Sequence, residues 1–309
     1  MVQLNSALAS LITKSFSKSL EQNLPFEETI LKLAKKDFQT ITKIGDELNL
    51  VLPGEVHLSA YSGGDLNMPE FPGDTTIKIK VNKGKSVHFA IDDVKAIQLN
   101  ALIDDGDKAA QLIKEYSKNA TEKFTAAMET DAAALYTKAG YNYNVGFAGG
   151  VASTALNFTP STFMTLFTGM KQLFTRGIQV DGVWRKCWTP GKMVAFIPPE
   201  LTGIITPSTR FQYTDEGMDD SMKQGFIDVI AGWKVYETPF IAPINGNQYA
   251  PLFGVEGETL GAIVQKNMEL IHYVPPLNFN DAFKGRGFYG VDVARVDKFG
   301  SALITVSQS

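Results

Sequence analysis

From Asp107 to Lys138 the sequence runs without a single Gly or Pro. Its apolar residues Ala109, Leu112, Ile113, Tyr116, Ala120, Phe124, Ala127, Met128 and Leu135 fall on one face, mostly at three- and four-residue steps, the pattern of an amphipathic helix. Asp107 is placed to cap its start and Gly140 to stop it. Lys118 and Glu122 are spaced to pair on its outer face. At 1.5 Å per residue such a helix is about 48 Å long, more than twice the ordinary globular helix of roughly 11–12 residues. A rod of that length needs a large body to lie on. The chain of 309 residues, 44% hydrophobic and 20% charged, has the material for one large domain or two intimate ones.

Upstream, the apolar period shortens to two. Leu48, Leu50 and Leu52 alternate with Asn49 and Val51 up to Pro53-Gly54, which reads as a strand. Ile77, Ile79 and Val81 point one way and Lys78 and Lys80 the other, a second, half-buried strand. Asn82-Lys83-Gly84-Lys85 is expected to turn tightly on Gly84, with Val87, Phe89 and Ile91 continuing the alternation. Tyr61 leads into the Gly/Pro-rich stretch from Ser62 to Gly73, which carries Leu66, Met68 and Phe71 and reads as a long loop tip. An excursion with so little local apolar content cannot hold itself together and must lie on something else. The first 45 residues read as an amphipathic arm. Leu4, Leu8, Leu11 and Ile12 share a helical face, and a second helical stretch is expected over Phe26 to Lys36 after the break at Pro25.

Downstream, a helix is expected over Thr162 to Thr175, with Pro160 near its start. Met193 to Ile197 reads as a buried strand closed by Pro198-Pro199. Phe226 to Ala231 and Trp233 to Tyr236 read as strands with Gly232 as a bulge between them. Glu258 to Asn267 allows a helix, Met268 to Val274 a strand, and Gly290 to Val306 two strands about Asp297-Lys298-Phe299-Gly300.

Motifs for chemistry fail their context. Gly285-Arg286-Gly287-Phe288-Tyr289-Gly290 spells a dinucleotide fingerprint, but β-like sequence follows where a helix is needed. Gly84-Lys85-Ser86 lacks the Gly five positions earlier that a phosphate loop requires, since Ile79 stands there. Asp104-Asp105-Gly106-Asp107 lacks the ligand spacing of a calcium loop and reads as an acidic helix start. Cys187 is the one cysteine, flanked by Lys186 and Trp188, with no His nearby in sequence; it reads as a structural thiol. One cysteine permits no intrachain disulfide, which fits a reducing compartment. No catalytic, cofactor or metal site is expected. A formal net charge of −4 is not that of a dedicated DNA binder. No run of 18 apolar residues predicts a membrane span, and the N-terminus does not have the form of a signal peptide.

In their order along the chain, these features resemble the major capsid proteins of tailed bacteriophages, the Hong Kong 97 family. An arm precedes Ile44-Gly45-Asp46 and the first strand, and the excursion re-enters through Lys85-Ser86-Val87-His88-Phe89-Ala90-Ile91-Asp92-Asp93. The uninterrupted helix is similar to the family's spine helix, with Leu112, Tyr116, Phe124 and Met128 on its inner face. Lys192 to Pro199 is similar to its central strand and proline turn, Gly225 to Tyr236 to its axial-domain strand pair, and Gly287 to Val293 to its closing strands.

The resemblance implies an α+β, HK97-like capsid fold with an N-terminal arm (1–45), an extended β loop (46–92), a peripheral domain with the spine helix (93–158), a mainly axial domain (159–274) and a return to the peripheral domain (275–309). It implies a shell of hexamers and pentamers around a phage genome, assembled in the host bacterial cytoplasm. Scaffold and portal proteins would be partners, and packaged DNA a non-specific one. Tyr61, Leu66, Met68, Phe71, Ile77, Lys78, Ile79 and Lys80 would form the intersubunit loop. Two other readings compete: an encapsulin-like nanocompartment shell, and an enzyme on a mixed α/β fold, which would need convergent polar groups in a pocket.

Overall fold

The long helix forms as its periodicity requires. In the computed structural model α1 spans Gly106–Ala133, 28 residues, and its last turn tightens into a 3-10 helix at Ala134–Lys138. Residues 29–35, 47–52, 75–91, 106–143, 155–180, 183–185, 187–205, 226–264, 270–274 and 281–306 are described by the structure. Ala120, Phe124, Met128, Ala132 and Ala133 of α1 are buried, while Lys118, Glu122, Lys123 and Thr130 face out. Lys118 and Glu122 pair at 3.7 Å, an exposed bridge worth a few tenths of a kcal/mol at most.

The first strands are β1 (Ala34–Lys35), β2 (Glu47–Leu52), β3 (Thr75–Lys80), β4 (Lys83–Ile91), β5 (Tyr141–Asn142) and β6 (Leu156–Phe158). Helix α2 (Phe163–Arg176) follows, then β7 (Ile178–Val180), β8 (Val183–Arg185), β9 (Met193–Ile197) and α3 (Pro199–Ile205). The chain continues through β10 (Phe226–Ile230), β11 (Trp233–Glu237), β12 (Gln248–Tyr249), β13 (Leu252–Val255), β14 (Leu260–Val264) and β15 (Leu270–Tyr273). It ends with β16 (Asp281–Val293), β17 (Phe299–Ser301) and β18 (Ile304–Val306).

Two sheets carry the body. The six-stranded one runs β10-β11-β9-β13-β17-β5. Its central strand β9 is buried at all five positions, and alternation sends its side chains into two different cores. Val194 and Phe196 join α1, while Met193, Ala195 and Ile197 join Phe163, Phe167, Met170 and Phe174 of α2. A strand covered on both faces needs no polar residues, and each of these side chains other than the small Ala195 contributes about 2 kcal/mol by the area it removes from water. The five-stranded sheet is organised by the 13-residue β16, with β4 along one edge and β15 and β14 in succession along the other. Phe283, Tyr289 and Val293 of β16 turn inward to α1.

Both strands β14 and β15, from the stretch assigned to the axial domain, thus pair with the closing strand β16. Strand β5, which directly follows the long helix, pairs with β17 in the other sheet. Sequence order and spatial grouping are interleaved.

Several local expectations are corrected. Within Phe26 to Lys36 the described residues form a 3-10 turn, Ile30–Leu33, and then strand β1, not a helix. Ile30, Leu31, Leu33 and Ala34 are all at most 1% exposed, and a short helix here would turn some of them to water. Leu260–Val264 is strand, not helix, because every residue is buried and a short run buried on all sides has no helical periodicity to read.

Asn82-Lys83-Gly84-Lys85 is no hairpin turn: β4 begins at Lys83 and Gly84 pairs with Phe288. Strand β3 pairs with β2 instead, so the chain changes sheets at Val81-Asn82. Gly232 is not a bulge but the second residue of a two-residue turn, with Ala231 at φ 53° and Gly232 at φ 92°, the signs of a type I′ hairpin. The irregularity in that pair lies between Phe226 and Asp228. At the end of the chain, β16 and β17 do not pair with one another, and a 3-10 turn at Val296–Lys298 carries the chain between sheets. Helix α3 was not expected; it starts at Pro199, at a position where the missing N–H is no loss.

Candidate functional site

No described cluster of His, Cys, Asp and Glu could hold a metal ion, and the fingerprint-like run Gly285 to Gly290 lies wholly inside β16, paired with β4 up to Tyr289 and with β14 from Tyr289 on. Among the described residues, three surfaces have functional character.

The first is the hairpin of β2 and β3. Its register sets Leu48 opposite Ile79, Leu50 opposite Ile77 and Glu47 opposite Lys80. Glu47 lies 2.9 Å from Lys80 and 3.6 Å from Lys78. Lys80 beside it holds the Glu47 carboxyl below its usual range. Lys78 and Lys80 are exposed, Ile77 is half-buried, and Ile79 is 0% exposed. Ile79 and Val81 pack on Ile263, Ala294 and Phe288. At the base of the hairpin the apolar face is therefore covered by the subunit's own sheet, where a neighbour's had been expected. Tyr61, Leu66, Met68 and Phe71 lie outside the described residues.

The second surface is the rest of the outer face of the five-stranded sheet. His88 of β4 and Lys284 of β16 are directly opposed, and Lys284 opposes Ile271 of β15. The His88 ring is hydrogen-bonded through Nε2 to the Tyr273 hydroxyl at 2.7 Å. Lys284 Nζ sits 4.7 Å from the centre of the Tyr273 ring. Beside this polar patch Ile271 is 55% exposed.

The third is a groove of about 600 Å³ between β4 and the outer half of α1, floored by Val87, Phe89, Ala120 and Phe124 and flanked by Lys85 and Lys123. Phe89 stacks between Phe283 and Tyr116, at 5.3 and 5.9 Å, yet Tyr116 remains 40% exposed. Of the four spine-helix residues singled out by sequence, Phe124 and Met128 are buried, Tyr116 is open to this groove, and Leu112 lies on the first turns of α1.

Two buried polar centres complete the map. Glu129, fully buried on α1, accepts hydrogen bonds from the backbone N–H of Ile30 at 2.8 Å and of Leu31 at 3.4 Å. Sequence reasoning passed over it, although a carboxylate one step from Met128 and three from Ala132, on the apolar stripe of the helix, was the available signal. Cys187 is 4% exposed and its thiol donates to the Tyr141 hydroxyl at 3.4 Å, which donates to the Arg185 carbonyl at 3.3 Å. Burial pushes the Cys187 thiol up to about 11. The thiolate is the reactive species, so the native protein at pH 8 should react with a disulfide reagent only very slowly. Full reaction should follow on adding denaturant, read as the chromophore released per chain. Prompt native labelling would show that this core opens.

No family profile and no curated protein matches the sequence. Solved structures do. The capsid of the cyanophage P-SCSP1u aligns over 91% of this chain and 89% of its own, at 12% identity and a TM-score of 0.60. A chain of Mycobacterium phage Che8 aligns over 84% of each, at 14% identity and a TM-score of 0.56. The capsid of an empty gene transfer agent particle aligns over 94% of this chain and 90% of its own, at 11% identity and a TM-score of 0.56. Identities this low speak for architecture, and the agreement runs nearly end to end in both directions. The chain is an α+β protein with the HK97-like fold, the architecture it shares with these structures.

Proposed function

We propose that this protein is the major capsid protein of a tailed bacteriophage, a structural subunit without catalytic function that closes into an icosahedral head around the genome. The observation that carries the reading is the nearly end-to-end likeness to the two capsid structures named above, over 91% and 94% of this chain. The likeness covers most of the chain, which favours a shared subunit plan over one domain put to another use.

The surfaces fit that role. The sequence offers an arm-like N-terminal stretch and a Gly/Pro-rich stretch between β2 and β3, and the described residues form an open apolar groove flanked by lysines. Identical subunits form rings through heterologous contacts that close on themselves. Obligate contacts of that kind bury on the order of 2,000–5,000 Å². The tip residues Tyr61, Leu66, Met68 and Phe71 contact a neighbouring subunit, while Ile77, Lys78, Ile79 and Lys80 set the direction in which the hairpin leaves. Glycines in the tip let one sequence bend differently at the non-identical positions of hexamers and pentamers. Residues 93–158 and 275–309 make the peripheral domain and 159–274 most of the axial one. The subunit assembles in the host cytoplasm with scaffold and portal proteins, and the finished shell faces its DNA without sequence-specific contacts, in keeping with a net charge of −4.

The test is the particle itself. Expressed protein should give capsomer rings or megadalton shells by sizing and electron microscopy. A sharp monomer peak at high concentration would sink the proposal. Particles from the native source should hold long DNA; shells filled with an enzyme would favour the nanocompartment. Deletion of residues Ser62 to Gly73 should leave a folded body, judged by circular dichroism, that no longer assembles. Normal shells from that deletion would remove the loop from the interface.

A further inference from the structure

We propose that Glu129 is a pH-dependent clasp, which grips the root of the N-terminal arm in acid and loosens it as the solution approaches neutrality and beyond. Its use in assembly depends on the capsid reading above; the clasp itself does not.

The root of the arm is residues 29–35. Their hold on the body consists of a few identifiable contacts. Ile30, Leu31 and Leu33 are buried against α1 and β14. The Gly257 N–H donates to the Lys32 carbonyl at 2.9 Å and the Thr259 N–H to the Leu33 carbonyl at 3.0 Å. Strand β1 adds a two-residue parallel ladder to β14.

The 3-10 turn Ile30–Leu33 opens with N–H groups that no helix bond satisfies, and its N-cap residue Thr29 makes no side-chain cap. The cap comes instead from nearly a hundred residues away, as the two Glu129 oxygens accept from Ile30 and Leu31. Among the described residues the Glu129 carboxyl is the one side chain that accepts from those two donors, and releasing the arm would expose both it and them to water.

No cation balances this carboxylate among the described residues. On the arm, Lys32 is turned to the Tyr236 hydroxyl, 2.8 Å away, and to Glu256, 3.9 Å away. On α1 itself, Asp131 is taken by Lys83 and the Tyr289 hydroxyl, and Lys118 and Glu122 pair at the surface. Strand β14 reads Leu-Gly-Ala-Ile-Val and brings no titratable group. Beyond it, Glu258 pairs with Lys298 and Lys192. An unpaired buried carboxylate strongly favours taking up a proton. Burial raises Glu129 from its ordinary 4.5 to about 7, against the pull of the Thr29 hydroxyl and of the Ile30 and Leu31 backbone donors, all of which favour its ionised form.

The sign follows from linkage. The docked root binds the proton more tightly than the released root does, so docking is strongest below the released value near 4.5 and is lost progressively as pH rises through about 7. Between pH 5 and pH 8 the docking constant should fall on the order of 50-fold.

Hydrogen exchange on the full-length protein reads this directly. After correction for intrinsic chemistry, protection of the amides of residues 30–34 should fall about 50-fold from pH 5 to pH 8, while those of Met193–Ile197 stay level. Glu129→Gln keeps an oxygen acceptor but cannot ionise, so its profile should be flat. A flat profile in the unchanged protein overturns the proposal, as does a Glu129→Gln profile that still falls with pH. If Glu129→Gln does not fold, the unchanged protein decides alone. The readout needs no particle: a falling profile in a protein that never assembles keeps the clasp and removes the capsid role, and shells with a flat profile do the reverse.

Discussion

Replacing Trp233 with Ala should lower the unfolding free energy of the subunit by about 4 kcal/mol, at the upper end for a single core truncation. Trp233 is 0% exposed and stands at the centre of an aromatic cluster between α2 and the six-stranded sheet. Phe174, Phe253 and Trp188 meet it edge to face, with centroids 5.0, 5.1 and 5.4 Å away. Its indole N–H donates to the Phe167 carbonyl at 3.2 Å, so both the ring and its one polar atom are satisfied. Truncation removes the largest buried side chain of that core and leaves rigid rings that cannot collapse into the space. Trp233→Phe keeps most of the packing and should cost only about half as much, through the lost hydrogen bond and the smaller ring. Denaturant titration followed by far-UV circular dichroism measures both. A loss below about 1 kcal/mol for Trp233→Ala would mean that α2 is held by something else.

Gly290→Ala should destabilise by about 3 kcal/mol although it adds one methyl group. At Gly290 the hairpin crosses the five-stranded sheet at contact distance. A Cβ there would lie 2.2 Å from the Lys80 carbonyl oxygen and 3.2 Å from the Val81 Cα. These are backbone atoms and no rotamer change removes them. Strand β3 must lift, and Ile79 and Val81 lose the cover of Ile263, Ala294 and Phe288. Besides the loss of stability, protease sensitivity near Lys80 should rise, while amides of Met193–Ile197 keep their protection below the global transition. Gly203→Ala is the control. That position has nothing within 4 Å and lies in α3, so the helix gains about 0.5–1 kcal/mol of propensity. A Gly290→Ala protein as stable as the parent would show that the crossing is not as tight as drawn.

The comparison between these two positions also separates what could be read in advance from what could not. Trp233 belongs to an alternating segment whose strand character is plain in the sequence. Gly290 was legible as a strand residue and as the end of a misleading fingerprint, but nothing local says that another strand passes above it. The same division holds for carboxylates. Glu122 pairs with Lys118 one turn away, which spacing alone predicts. Glu129 serves backbone groups nearly a hundred residues upstream, which spacing cannot address.

Periodicity by itself determined the long helix, the second helix, the central strand β9 and the alternation of Ile77, Lys78, Ile79 and Lys80, while the fold was read from the family resemblance that their order carries. These are properties of segments whose two faces meet different surroundings, so the pattern is written into neighbouring residues. Only the tertiary structure decided the strand at Leu260–Val264, the extended root of the arm, the sheet change at Val81-Asn82 and the covering of Ile79 by its own subunit. There the deciding free energy comes from contacts between residues far apart in the chain. A short apolar run buried on every side has no period to display, and a partner strand leaves no mark on the sequence of the strand it will meet.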